Sequence, residues 1–106
     1  MLIHQDIYFN ANTNVLNSQE LEGFLPFLKQ TMVNFSERSP SDGCFTIDLS
    51  SAQNGYKVVI RLASAGLSLS EFATAQSPFA AVDKVLSRIQ QSIDFWSVHK
   101  NMVSVH

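Results

Sequence analysis

The chain has 106 residues, of which 45% are apolar and 15% charged, and its seven Lys and Arg against nine Asp and Glu give a formal charge of -2. That length supports one hydrophobic core rather than two, so residues 1–106 are expected to form a single domain. The acidic balance argues against a generic nucleic-acid binder, because phosphate neutralisation supplies most non-specific affinity, and no apolar run approaches the ~18 to 20 residues of a membrane span.

The opening Met1-Leu-Ile-His-Gln-Asp lacks the cationic flank and long apolar stretch of a secretory signal. The single cysteine, Cys44, has no disulfide partner within the chain. A reducing cytoplasm is the expected compartment.

In chain order, Ile7 and Phe9 alternate with polar neighbours and predict a short first strand, closed by the Asn-rich turn from Asn10 to Asn14. Asn17 or Ser18 can cap a first helix of roughly Ser18 to Arg38, in which Leu21, Leu25, Leu28, Met32 and Phe35 recur at helical spacing. Pro26 inside that pattern predicts a kink or a late helix start. Ser39-Pro-Ser-Asp-Gly ends the helix, and Phe45, Ile47 and Leu49 then mark a half-buried second strand.

Asn54-Gly55 predicts a type I′ hairpin into a third strand, Tyr56 to Leu62. There Val58, Ile60 and Leu62 share one face, and Lys57, Val59 and Arg61 give the other a mildly basic character. A fourth strand, about Leu67 to Ala75, loses its alternation at Glu71, which predicts a bulge or an edge position. Ser77-Pro78 opens a second helix along Phe79, Val82, Leu86, Ile89, Ile93 and Trp96, ending near His99-Lys100. The order β-α-β-β-β-α predicts an α+β two-layer sandwich, a four-stranded sheet with two helices on one face.

Catalytic and metal-binding patterns are missing from the sequence. His4, His99 and His106 stand at no metal-ligand spacing, and Cys44 has neither a CxxC partner nor a nearby histidine. The glycines at 23, 43, 55 and 66 read as turn or helix-edge positions rather than a phosphate cradle. Glu20 and Glu22 fall in the first turn of helix one, where they favour the helix dipole. No catalytic residue, metal site or cofactor is expected, and the chain reads as a non-enzyme. Core packing accounts for Phe24, Phe35, Phe79 and Trp96, whereas Phe27 and Phe95 stand apart; Phe95 points toward the face of Lys84, Arg88 and Gln91 as an exposed apolar contact.

The stretch from Gln76 to Ile93, running on to Lys100, resembles the second helix of ribosome hibernation-promoting factors and ribosome-associated inhibitors, with Phe79, Ala81, Val82, Asp83, Arg88 and Ile93 at matching positions. Ser18, Leu21, Phe24 and Leu25 resemble the start of that family's first helix. The resemblance spans about Ile7 to Lys100, in a short form of the family. It implies a domain that binds the small ribosomal subunit and its rRNA in the mRNA and tRNA channel, inhibiting translation under stress, with no enzyme activity and no cofactor. It assigns RNA contacts to Lys84, Arg88 and Lys100 on helix two and to Lys57 and Arg61 on the open sheet face.

The chain departs from the family where Glu22 and Gln91 replace basic residues and Phe95 replaces a usual Lys. Those departures motivate a second reading, in which the scaffold has lost RNA binding and serves as a protein-interaction module or homodimer through Phe95, Val59 and the sheet edge.

Overall fold

The structure is a computed structural model; it describes residues 1–12 and 14–105, and the side chains at 97 and 99–105 lie outside that description. In chain order the elements are β1 (Leu2–His4), β2 (Ile7–Ala11), α1 (Ser18–Ser36), β3 (Cys44–Ala52), β4 (Gly55–Ala63), β5 (Ser68–Ala75) and α2 (Pro78–Val105). The five strands form one sheet in the order β1-β2-β3-β4-β5. The pair β2–β3 is parallel, with α1 as its crossover, and the other three pairs are antiparallel.

The sheet therefore has one strand more than the sequence pattern predicts. β1 is only three residues long, too short to display an alternation, and it folds back on β2 through a turn in which Asp6 has φ 61°. Aspartate tolerates this left-handed region better than most residues. The Asp6 carbonyl then accepts from the Phe45 amide at 2.8 Å, which ties the turn to β3.

One face of the sheet is the core. Ile7 and Phe9 of β2, Phe45, Ile47 and Leu49 of β3, and Val58, Ile60 and Leu62 of β4 are all buried. Period-two alternation places them together, and the register aligns Ile7 with Phe45 and Phe45 with Leu62. Both helices cover this face, α2 lying along β4 and β5 while α1 reaches the β1 side. Their contributions are Phe24, Leu28, Met32 and Phe35 from α1, and Ala81, Val82, Val85, Leu86, Ile89 and Ile93 from α2. On α1 the buried stripe is centred on Phe24, leaving Leu21 and Leu25 half-buried at its margin. Phe79 packs edge-on to Phe24 at 5.4 Å and against Phe27 at 4.9 Å, yet remains 41% exposed.

Helix α1 begins at Ser18 rather than at Pro26, because its start is held by a capping box. The Asn17 side chain accepts from the Glu20 amide at 2.8 Å, and the Glu20 carboxylate accepts from the Asn17 amide at 3.0 Å. In α2 the Ser77 hydroxyl accepts from the Ala80 amide at 3.1 Å, with Pro78 at the first helical position. No glycine or proline follows Lys100, and the helix continues to Val105 instead of stopping near His99.

The β3–β4 hairpin turns on Gln53-Asn54, with Ala52 paired to Gly55. Asn54 supplies the positive φ, 63°, while Gly55 has none and begins β4, so the turn is shifted by one residue from the type I′ expectation. Gly55 is required for a different reason: a Cβ there would stand 2.2 Å from the Ala75 carbonyl oxygen. Glu71 disturbs no register, since β5 pairs with β4 without a bulge, and β5 is an edge strand.

Candidate nucleic-acid interface

Because the helices occupy one face, alternation leaves the opposite face of the sheet without a covering layer. That open face presents Tyr8 and Asn10 of β2, Thr46, Asp48 and Ser50 of β3, Lys57, Val59 and Arg61 of β4, and Ser70, Phe72 and Thr74 of β5.

The basic residues gather around Phe72 from both sides of the edge strand. Lys84 and Arg88 lie one turn apart on α2 and reach over β5. The Lys84 ammonium donates to the Thr74 carbonyl at 3.2 Å, and the Arg88 guanidinium donates to the Phe72 carbonyl. Alternate residues of an antiparallel edge strand turn their carbonyls away from the partner strand, so these two cations cap groups that the sheet leaves unpaired. From the open face, the Lys57 ammonium lies 5.0 Å from the centroid of the Phe72 ring. Phe72, Thr74, Lys84, Ser87 and Arg88 line a groove of about 600 Å³. A backbone carbonyl consumes one donor of each α2 cation, leaving others on the guanidinium and the ammonium for an anionic ligand.

Arg61 sits differently. Its guanidinium donates to Asp48 at 2.5 Å, with the two side chains 55% and 36% exposed. Asn10 donates to the other Asp48 oxygen at 3.4 Å. An exposed pair of this kind contributes at most about 1 kcal/mol to stability, but it occupies the charge that a phosphate would otherwise meet. The Lys100 side chain lies outside the described residues, as do those of His99 and His106.

The two residues expected to share a partner surface are not brought together. Val59 is half-buried in the middle of the open face, opposite Phe72 and Asp48 in register. Phe95 belongs to the helix layer, is 64% exposed, and lines an apolar groove of about 520 Å³ with Leu67, Leu69, Gln91, Ser92 and Trp96.

Tyr8, Asp48 and Phe72 were not singled out by sequence reasoning, and a signal for the aromatics was present. Tyr8 lies between Ile7 and Phe9, and Phe72 shares parity with Ser70 and Thr74, so each aromatic falls on the polar side of its strand. Elsewhere, Cys44 is a free, half-buried thiol at the start of β3, and His4 is exposed. Among the described residues no three His, Cys, Asp or Glu side chains gather where a metal could be held. No described helix is long and apolar enough to cross a membrane.

The arrangement of two helices on one face of a five-stranded mixed sheet is an α+β fold. Among solved structures, the chain is similar to a ribosomal subunit interface protein from Coxiella burnetii, with TM-score 0.64 and 10% identity, over 87% of this chain and 97% of that one. It is also similar to the N-terminal domain of Protein Y from Thermus thermophilus, with TM-score 0.63 and 10% identity, over 81% of this chain and 91% of that one. At that identity the likeness is one of fold. No family model and no curated protein matches the chain. The resemblance drawn from the α2 sequence thus finds the same kind of protein among the solved structural neighbours.

Proposed function

We propose that this chain is a ribosome-associated translation inhibitor of the hibernation-factor kind, a cytoplasmic, non-enzymatic single domain that docks on the small ribosomal subunit without a cofactor. The observation that carries the reading is the fold shared with a ribosomal subunit interface protein, and with the N-terminal domain of Protein Y, over more than four-fifths of this chain. The convergence of Lys57, Lys84 and Arg88 around Phe72 supports it further, because it concentrates positive charge in one place on a chain of net charge -2. In this reading those three side chains meet rRNA phosphates, Lys100 extends the contact along α2, and Arg61 joins once a phosphate replaces Asp48. Such a docked domain blocks translation by occupying the channel that mRNA and tRNA need.

Co-sedimentation of the purified protein with small subunits and with whole ribosomes, at low and at physiological salt, tests this. Binding that survives physiological salt and is lost in the double variant Lys84→Glu, Arg88→Glu supports the proposal; absence of binding at both salts overturns it.

A second reading, a scaffold acting as a homodimer or protein-interaction module, draws on the exposure of Phe95. Two observations weigh against its original form. Phe95 and Val59 lie in different layers, and the β5 edge that a strand-pairing partner would use is capped by Lys84 and Arg88. A dimer dissociated by Phe95→Asp, in a protein that never sediments with ribosomes, would favour this second reading.

A further inference from the structure

The open sheet face carries two large aromatic side chains among residues that are mostly polar, Val59 and the β1 residue Leu2 being the aliphatic ones beside them. Tyr8 is 41% exposed and Phe72 is 55% exposed, the latter even with Lys57 over its ring. Their placement follows from the register. Tyr8 aligns with Thr46, Thr46 with Arg61, and Arg61 with Ser70, while Phe72 stands two residues further along β5. Three strand spacings of ~4.8 Å and one two-residue step of ~6.8 Å put the two rings about 16 Å apart on a diagonal across the sheet.

The ground between the rings is hydrophilic. Thr46, Asp48, Arg61 and Ser70 occupy it, with Val59 as the apolar exception. Leu2 of β1 lies opposite Tyr8 and adds apolar surface at that end, but the two rings, separated by hydroxyls and charges, do not join into the one contiguous apolar patch that a second protein copy would need. The charge balance also differs from that of the whole chain. The strand residues of this face include two cations, Lys57 and Arg61, against the single acid Asp48, whereas the chain as a whole has more acids than bases. Spaced aromatic rings on a sheet, flanked by cations and hydroxyls, suit a flexible polyanion with flat apolar bases.

We infer that the open face is a platform for single-stranded RNA, with Tyr8 and Phe72 each stacking a base while Arg61 takes a phosphate between them and Lys57 the phosphate beside Phe72. This rests on the ribosome reading for its choice of RNA, and it names the element recognised: an unpaired segment rather than a duplex. Base stacking is tolerant of sequence, so the platform distinguishes strandedness more strongly than base identity. Lys57 leaves the Phe72 ring for a phosphate when a base arrives. Arg61 exchanges Asp48 for a second phosphate, which makes Asp48 a brake on affinity.

The test is fluorescence anisotropy with a labelled oligouridylate of about 12 nucleotides, within the ~4–16 that one such platform engages, alongside an RNA duplex of equal length. The expected results are preference for the single strand and a weakening of about 5- to 150-fold for each of Tyr8→Ala and Phe72→Ala, the loss of one stacked base. Amide shifts on titration should map to β2, β4 and β5 of the open face. Both side chains are exposed, so circular dichroism of the variants should match the parent. Equal binding by parent and Tyr8→Ala, Phe72→Ala double variant, or a preference for duplex, overturns the platform. A protein that sediments with ribosomes but ignores the oligonucleotide overturns the platform and leaves the ribosome reading standing. The reverse result overturns the ribosome reading alone. A concentration-dependent dimer that Phe72→Ala dissociates, without RNA binding, would assign the face to a second copy.

Discussion

The Arg88 guanidinium donates to the main-chain carbonyl of Phe72, so one side chain both closes the sheet edge and directs positive charge into the groove beside it. Lys84 repeats the arrangement one helical turn earlier, at the Thr74 carbonyl. These two residues therefore have a structural role that would persist without any RNA, and experiments on them must separate capping from binding.

Substitution Lys84→Ala, Arg88→Ala uncovers two carbonyls on an exposed edge strand, the feature through which sheets pair with one another. The expected outcome is concentration-dependent self-association in sedimentation velocity, together with a loss of about 1 kcal/mol per hydrogen bond. Lys84→Gln, Arg88→Gln keeps a donor at each position while removing the charge. It should stay closer to monomeric than the alanine pair yet bind ribosomes as weakly, and equal self-association by the two pairs would show that capping is not what these side chains supply.

Asp48→Asn separates the contributions of charge at the centre of the open face. It releases Arg61 from its ion pair and removes one negative charge from the face. Stability should change by less than about 1 kcal/mol, as for other exposed pairs. RNA binding should tighten, and adding Arg61→Ala should then flatten the slope of log K against log salt by about 0.7, the share of the one single-strand phosphate that Arg61 neutralises. An unchanged slope would mean that Arg61 is no phosphate contact.

The elements of strong periodicity were legible from the residues alone: the α2 stripe from Val82 to Ile93, and β3 and β4 with their alternating faces. β1 was not, because three residues carry no period and its partner β2 is itself only five long. The shifted hairpin at Gln53-Asn54 was missed for a different reason: Asn54-Gly55 is a strong local turn signal, but Gly55 answers a tertiary demand, the close approach of the Ala75 carbonyl. For the candidate site, the sequence located the cations Lys57, Lys84 and Arg88 without their shared neighbour Phe72. It also could not anticipate that Asp48 would face Arg61, since that pairing depends on the β3–β4 register.

Asn17→Ala removes one half of the capping box at the start of α1. The Glu20 amide loses its acceptor and the loss should be about 1 kcal/mol, or about 4–8 °C in Tm for a domain near this size. Asn17→Asp should retain most of that stability, as its carboxylate accepts the same bond and favours the helix dipole. If both variants melt alike and below the parent, the cap is not the origin of the effect.

Two glycine-to-alanine substitutions should have opposite signs. At Gly55 a Cβ would lie 2.2 Å from the Ala75 oxygen and 3.0 Å from its carbonyl carbon. Those atoms are backbone and cannot turn aside as a flexible side chain would, so β4 and β5 must separate where Tyr56 pairs with Ala75. The cost should be about 2–4 kcal/mol, the range of overpacking compounded by lost ladder bonds. At Gly23, on the exposed side of α1, a Cβ meets nothing within 4 Å. Alanine there keeps the helical backbone and lowers the entropy of the unfolded chain, so Gly23→Ala should stabilise by about 0.5–1 kcal/mol. Denaturant midpoints measured side by side decide the matter: a Gly55→Ala protein as stable as the parent would show that β5 does not approach β4 as closely as the Ala75 carbonyl requires, and with it the edge geometry that brings Phe72 to Lys57 would have to be revised.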